Sequence, residues 1–227
     1  MTATIVDLRH PSGINERIVA KVVARRGRLH AFPDIAPHRA ALVVVDMMRA
    51  SVEADPGCRT IVGPINALAA ALRRAGGDVA WVTAAPAPRR DDRLVAIVGE
   101  ARAALFAKAA RPSDPRAALW HELDVRPGDI HAAKTGASAF FPGKCDLSDQ
   151  LRERGIDTVL IAGTVTNVCC ESSARDAVEL GYRVVMVSDA LAGHAHGLHE
   201  ASLATFYRIF GDVRPTTDLL AMIAPLR

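Results

Sequence analysis

The stretch AALVVVD, Ala40 to Asp46, decides the fold. It is a short continuous apolar run that ends in a carboxylate, the pattern of a strand buried on both faces of a parallel sheet. Downstream, Ile61, Ile65, Leu68 and Leu72 recur at helical spacing, and the run closes with Arg73-Arg74 and Gly76-Gly77, which are good helix-stop residues. Together these make one βα unit. The alternation then repeats: a strand over Asp78 to Thr83, a helical stretch through Leu94 to Ala109, a strand over Asp129 to Ala133 and a short helix from about Asp146 to Arg154. Asp157 to Ala162 (DTVLIA) reads as a strand, Cys169 to Leu180 as a helix, Arg183 to Val187 as a strand and His199 to Phe210 as a helix. Repeated β-then-α order predicts the α/β class, a doubly wound, mostly parallel sheet with helices on both faces.

Upstream of the deciding strand, residues 1–38 carry no strong period and include Pro11, Pro33 and Pro37. They read as an N-terminal arm or short helix laid against the domain of residues 39–227. A chain of 227 residues that is 50% apolar is long enough for one well-buried core, so one domain is expected. Met1 to Gly13 mixes Asp7, Arg9 and His10 with short apolar stretches and shows no continuous signal-type apolar region. No apolar run approaches a membrane span, so a cytoplasmic protein without membrane contact is expected.

The formal charge is +3, with the basic residues scattered in pairs such as Arg25-Arg26, Arg73-Arg74 and Arg89-Arg90. That scatter, with only 4% aromatic residues, argues against nucleic acid as a partner. The four cysteines, at 58, 145, 169 and 170, show no CxxC spacing and are expected to be free thiols. Cys58 and Cys145 belong to no motif.

In doubly wound sheets the ligand crevice lies beyond the carboxyl ends of the strands. That rule turns strand ends into candidates: Asp46, Thr83, Lys134 and the turn from Gly163 to Cys169. A carboxylate, an ammonium and a thiol at one edge suit nucleophilic catalysis, with a base for the thiol proton and a cation to favour thiolate. Helix phase separates the paired cysteines. Cys170, Ala174, Ala177 and Val178 share an apolar face, opposite Glu171, Arg175 and Glu179, so Cys170 reads as core. Cys169 falls in the first turn, where unpaired N–H groups and the helix dipole favour a thiolate.

The segments ALVVVDMM (41–48), AAKTGASAFF (132–141) and DTVLIAGTVTNVCCESSARDAVELGYRVVMVSDA (157–190) closely resemble the isochorismatase-like cysteine hydrolases. The resemblance covers roughly residues 40–210, and its third block, G-x-x-T-N-x-C-x-E-S-x-A-R-D-A, is specific. It implies a six-stranded sheet, and by motif position it places the family's Asp on Asp46, its Lys on Lys134 and its nucleophile on Cys169. It also implies an oxyanion hole built from Val165, Thr166 and Cys169, with a cis peptide at the Val165–Thr166 bond. The activity implied is hydrolysis of a C–N bond in a small amide, carbamoyl or ureido compound, as in the N-carbamoylsarcosine and ureidoacrylate amidohydrolases. Vinyl-ether hydrolysis, or a non-catalytic binding role on the same scaffold, are the alternatives. No cofactor is implied, and relatives are commonly dimers or tetramers.

Many relatives read D-M-Q-N after the first strand, where this chain has Asp46-Met47-Met48-Arg49. Arg49 could reach an anionic substrate, because bidentate carboxylate recognition suits a guanidinium. Trp81, Trp120, Phe140 and Phe141 are candidates for walls of the substrate pocket, and Asn167 joins them from within the third motif. Nicotinamidases place metal-binding histidines after the second strand, but Trp81 to Pro86 contains none. His194, His196 and His199 form the one His cluster, read as a polar turn with a structural His rather than a metal site.

Overall fold

A computed structural model describes residues 14–224. The strands are β1 (Ala40–Val45), β2 (Asp78–Ala84), β3 (Ile130–Lys134), β4 (Thr158–Thr164), β5 (Arg183–Ala192) and β6 (Asp212–Arg214). The helices are α1 (Glu16–Arg26), α2 (Arg49–Ala54), α3 (Val62–Arg74), α4 (Asp92–Val98), α5 (Glu100–Ala109), α6 (Leu147–Glu153), α7 (Glu171–Glu179), α8 (His196–Ile209) and α9 (Thr216–Ile223). The six strands form one sheet in the order β3-β2-β1-β4-β5-β6, and every neighbouring pair is parallel. The α/β doubly wound reading therefore holds.

The apolar run of β1 is explained by its place at the centre of this sheet. Ala41, Val43 and Val45 pack into a core on one face with Leu147 and Leu151 of α6, Ala174 and Ala177 of α7, and Leu203 and Phe206 of α8. Ala40, Leu42 and Val44 pack into a second core with Ile65, Leu68 and Leu72 of α3 and Leu219 of α9. With an apolar layer on either side, no position of this strand faces water, so the polar alternation of a half-exposed strand is missing.

The order reverses direction between β1 and β4, which pair from Ala40↔Thr158 to Val45↔Gly163. This is the topological switch point, where adjacent crossovers run to opposite faces and leave a crevice above the strand ends. The sheet can close up here only because residue 163 is glycine. A Cβ at that position would lie 2.1 Å from the Val45 carbonyl oxygen, and its φ of +112° is one L side chains rarely adopt.

Several elements differ from their sequence reading. The helix expected through Leu94 to Ala109 breaks into α4 and α5 at Gly99, whose φ is +83°. β5 continues to Ala192 and β4 to Thr164, because the two remain paired past a register shift, Gly163 with Leu191 and Thr164 with Ala192. The strand β6 and the helix α9, at the end of the described chain, have no counterpart in the sequence reading. A strand of three residues carries too little periodicity to be seen.

Residues 1–13 of the expected arm lie outside the described residues. From Ile14 onward the arm lies along the domain: Ile14, Ile18, Val19 and Val22 pack into the first core, and His30 pairs with Asp212 at 3.1 Å. Among the described residues no helix is long and apolar enough to cross a membrane.

Candidate active site

Asp46 follows β1 directly and adopts a left-handed backbone conformation, with φ +53°. Aspartate tolerates that region better than most residues, and the turn it makes leaves the carboxylate at the rim of the sheet. Its N–H still donates to the Val82 carbonyl at 2.9 Å, so the backbone is held by β2. Oδ2 pairs with Lys134 Nζ at 2.8 Å. Oδ1 is buried and makes no hydrogen bond.

Lys134 ends β3, two strands away from β1, and is 4% exposed. Its ammonium donates to the Gly136 carbonyl at 3.1 Å and approaches the Cys169 Sγ to 3.5 Å, in addition to the Asp46 contact. Three donors thus meet three partners, which is what a buried ammonium requires. Burial works against charge on Lys134, but Asp46 and the Cys169 sulfur outweigh it and hold its pKa above the usual lysine value. The amine is a fixed cation.

The thiol arrives on the turn after β4. The Thr164–Val165 peptide is cis. The sequence reading placed that bond one residue later, at Val165–Thr166, so this is a correction. Thr166 to Cys170 then form one turn of π-helix before α7 begins at Glu171. Cys169 was expected in the first turn of an α-helix; it sits in this wider turn instead. The amides of Val168 and Cys170 both donate to the Val165 carbonyl, at 3.0 and 3.2 Å, and are not available to a ligand. Thr166 shares a 2.9 Å hydrogen bond with His199 Nδ1, and both residues are fully buried. Cys170 packs among Ala174 and Ala177 in the core, as its helical phase predicts.

A preformed thiolate is not what this environment favours. Burial pushes the Cys169 thiol up to about 12, the charge of Asp46 adds to the rise, and Lys134 opposes it without prevailing. The sequence expectation of a thiol primed as thiolate is corrected accordingly. The site holds a thiol whose ionisation is opposed, beside the Asp46–Lys134 pair. A proton acceptor is therefore needed at the moment of attack, and the unbonded Oδ1 of Asp46 is a buried acceptor at hand.

The other candidates scatter. Trp81 does not wall a pocket: it is fully buried in the second core and its Nε1 donates to Asp129 at 2.7 Å. Side chains alternate along β2, and Trp81 faces the helices rather than the strand end. Trp120 is also buried in that core, with its ring under the Arg59 guanidinium at 5.3 Å. Phe140 is 1% exposed and packs edge-on to Tyr182, with ring centres 5.6 Å apart, whereas Phe141 is 53% exposed. Asn167 is half-buried and the neighbouring Val168 exposed, both on the same turn as the thiol. Arg49 opens α2 and forms an i,i+4 pair with Glu53 at 2.5 Å, which offsets its charge.

The three histidines have separate partners: His194 pairs with Asp55 at 2.9 Å, His196 with Glu200 at 3.6 Å and His199 with Thr166. Among the described residues no group of three or more His, Cys, Asp or Glu side chains is set to hold a metal ion. Two features of the site escaped sequence reasoning: the Gly136 carbonyl that takes one Lys134 donor, and Ser173, which touches the thiol turn. Ser173 falls at an unspecified position of the third motif, between its Ser172 and Ala174, so the pattern gave no signal for it.

Comparison with known proteins identifies the family and the fold. The Isochorismatase domain matches residues 40–218. The chain is 31% identical to ureidoacrylate amidohydrolase RutB of Klebsiella pneumoniae over 220 residues, covering 84% of this chain and 91% of that protein. Against RutB of Rhizobium rhizogenes the match is 40% over 110 residues, and there the chain spans 43% of the relative's length. Among solved structures, a cysteine hydrolase from Pseudomonas syringae pv. phaseolicola superposes with a TM-score of 0.77 at 29% identity, over 86% of this chain and 97% of that one. The N-carbamoylsarcosine amidase of Thermoplasma acidophilum does so at 0.66 and 27%, over 78% and 96%. With the family's domain matched across most of its length and a relative 31% identical over 84% of the chain, this chain belongs to the isochorismatase family.

Proposed function

We propose that this protein is a cysteine-dependent amidohydrolase that cleaves a C–N bond of a small amide, carbamoyl or ureido compound. The observation that carries the reading is the meeting of Lys134 with both Asp46 and Cys169, at 2.8 and 3.5 Å, at the switch point of the sheet. Relatives named as ureidoacrylate amidohydrolase and N-carbamoylsarcosine amidase support the bond type.

Asp46 Oδ1 takes the thiol proton as Sγ bonds to the substrate carbonyl carbon. The carbonyl oxygen becomes an oxyanion, facing the backbone N–H groups of the Val165, Thr166 and Cys169 turn. The C–N bond then breaks, Asp46 returns its proton to the departing nitrogen, and ammonia or an amine leaves. Water adds to the resulting thioester while Asp46 accepts one of its protons, and the acid is released as the thiol regains hydrogen. Lys134 keeps its proton throughout. It holds Oδ2 so that Oδ1 stays turned to the sulfur, and its charge offsets the negative charge built up during attack. Phe141, Asn167 and Arg49 contribute the substrate-facing rim in this reading, with Glu53 limiting how strongly Arg49 attracts an anion.

The test is ammonia release from ureidoacrylate, N-carbamoylsarcosine and simple amides, with the wild type and Cys169→Ala side by side. Wild-type release that disappears in the variant is the expected result. Turnover that survives loss of the sulfur would exclude a thioester and favour chemistry carried by Asp46 alone, as in vinyl-ether hydrolysis.

A further inference from the structure

Lys134 and Cys169 come from parts of the sheet that do not pair. Two strands, β2 and β1, lie between the edge that carries the ammonium and the β4 turn that carries the thiol. Their 3.5 Å approach therefore has to be set by contacts above the strand ends. Ser173 on α7 supplies one. Its hydroxyl is fully buried, donates to the Cys169 carbonyl at 2.6 Å and accepts the Ala139 N–H at 2.9 Å.

The first of these bonds is common: a helical serine often donates to the carbonyl four residues back. The second is not local, because Ala139 lies 34 residues away in the segment that follows Lys134. That segment is held at its far side by packing of Phe140 on Tyr182. One hydroxyl thus uses its hydrogen on the thiol turn and a lone pair on the lysine segment.

We propose that Ser173 is a positioning residue, a bolt between the thiol-bearing turn and the lysine-bearing segment that sets the spacing of ammonium and sulfur. This inference rests on the amidohydrolase reading. A serine that merely completed its own helix would affect folding stability alone. A serine that sets the spacing affects the acidity of the thiol, because Lys134 is the group that favours the thiolate.

The experiment follows alkylation of Cys169 by iodoacetamide in the full chain, read by peptide mapping from neutral to alkaline pH, for wild type, Ser173→Ala and Ser173→Thr. Ser173→Ala is expected to displace the profile to higher pH by roughly half a unit or more, as the cation recedes. On whichever ureido or amide substrate the wild type turns over, it lowers kcat about tenfold with KM within about twofold. Ser173→Thr, which keeps the hydroxyl, restores both. Should Ser173→Ala fail to fold, Ser173→Cys, which nearly keeps the volume and weakens the acceptor, is read the same way. A wild-type alkylation profile and kcat per folded molecule in the alanine variant, whatever its melting temperature, overturns the role of Ser173. Turnover that persists in Cys169→Ala overturns the amidohydrolase reading itself, and Ser173 falls with it.

Discussion

Lys134 reaches Asp46 across an intervening strand: Nζ and Oδ2 are 2.8 Å apart although β3 and β1 are not neighbours. Adjacent strands are spaced by about 4.8 Å, so the four-carbon stem spans the end of β2 to make the contact. A buried pair of this kind is a weak source of stability, since desolvation consumes most of the attraction. Its consequence is chemical. It fixes how the carboxylate is turned, with one oxygen engaged and the other left for a proton.

Removing that charge separates thiol acidity from catalysis. In Asp46→Asn the carboxylate no longer opposes ionisation of Cys169 while Lys134 still favours it, so the thiol pKa falls. Iodoacetamide should label Cys169 faster than in wild type at mildly alkaline pH, and turnover should drop by roughly a thousandfold for want of a base. Slower labelling would mean that Asp46 does not act on the thiol as described.

The pH dependence of the wild type follows from the same shift. With the thiol pushed up to about 12, labelling of Cys169 rises about tenfold per pH unit through the neutral range and shows no plateau at ordinary thiol pH values. Stability has the opposite slope. The folded state holds this thiol protonated above the usual thiol value of 9.0, so its contribution is complete below that pH and is lost as pH climbs toward 12. Cys58, raised to about 11 chiefly by burial, adds to the loss. Melting temperatures of wild type and Cys169→Ala, compared from pH 8 to 11, should converge at the alkaline end if the wild type starts higher.

The two adjacent cysteines should respond in contrasting ways. Cys170→Ala leaves a small cavity among Ala174 and Ala177 and costs about 1–2 kcal/mol in denaturant titration, with activity retained. Cys170→Ser buries a hydroxyl in the same apolar surroundings and should cost more. Cys169→Ala should cost little stability and abolish turnover. The reverse assignment would appear as loss of activity in Cys170→Ala.

Gly163→Ala should be among the most damaging single changes outside the triad. The added Cβ would sit 2.1 Å from the Val45 oxygen and 2.7 Å from its nitrogen, both backbone atoms of the central strand, at a φ that strains alanine as well. A loss above about 4 kcal/mol is expected. A folded Gly163→Ala protein with wild-type melting behaviour would show that β1 and β4 can separate at the switch point.

Most of the fold was legible because it is written in short-range patterns. The unbroken apolar run of 40–45, the helical spacing of Ile65, Leu68 and Leu72, and the two faces of 170–179 each carry a period that survives without knowledge of neighbours. Strand ends then pointed to Asp46, Lys134 and Cys169 through the crevice rule. Trp81 was misread for a related reason. Its position near a strand end was visible, but the face of β2 it occupies is set by pairing register, and that placed it over α3.

By itself the sequence determined the α/β layering, the apolar faces of β1 and α7 and which three side chains stand at strand ends, since each follows from local periodicity and chain order. Tertiary structure alone decided how they meet: the cis bond before Val165, the π turn that carries Cys169, and the reach of Lys134 over β2. It also decided that the thiol rests protonated rather than ionised. Acidity depends on solvent exclusion and on the distances between charges brought from separate parts of the chain, and these exist only once the chain is packed.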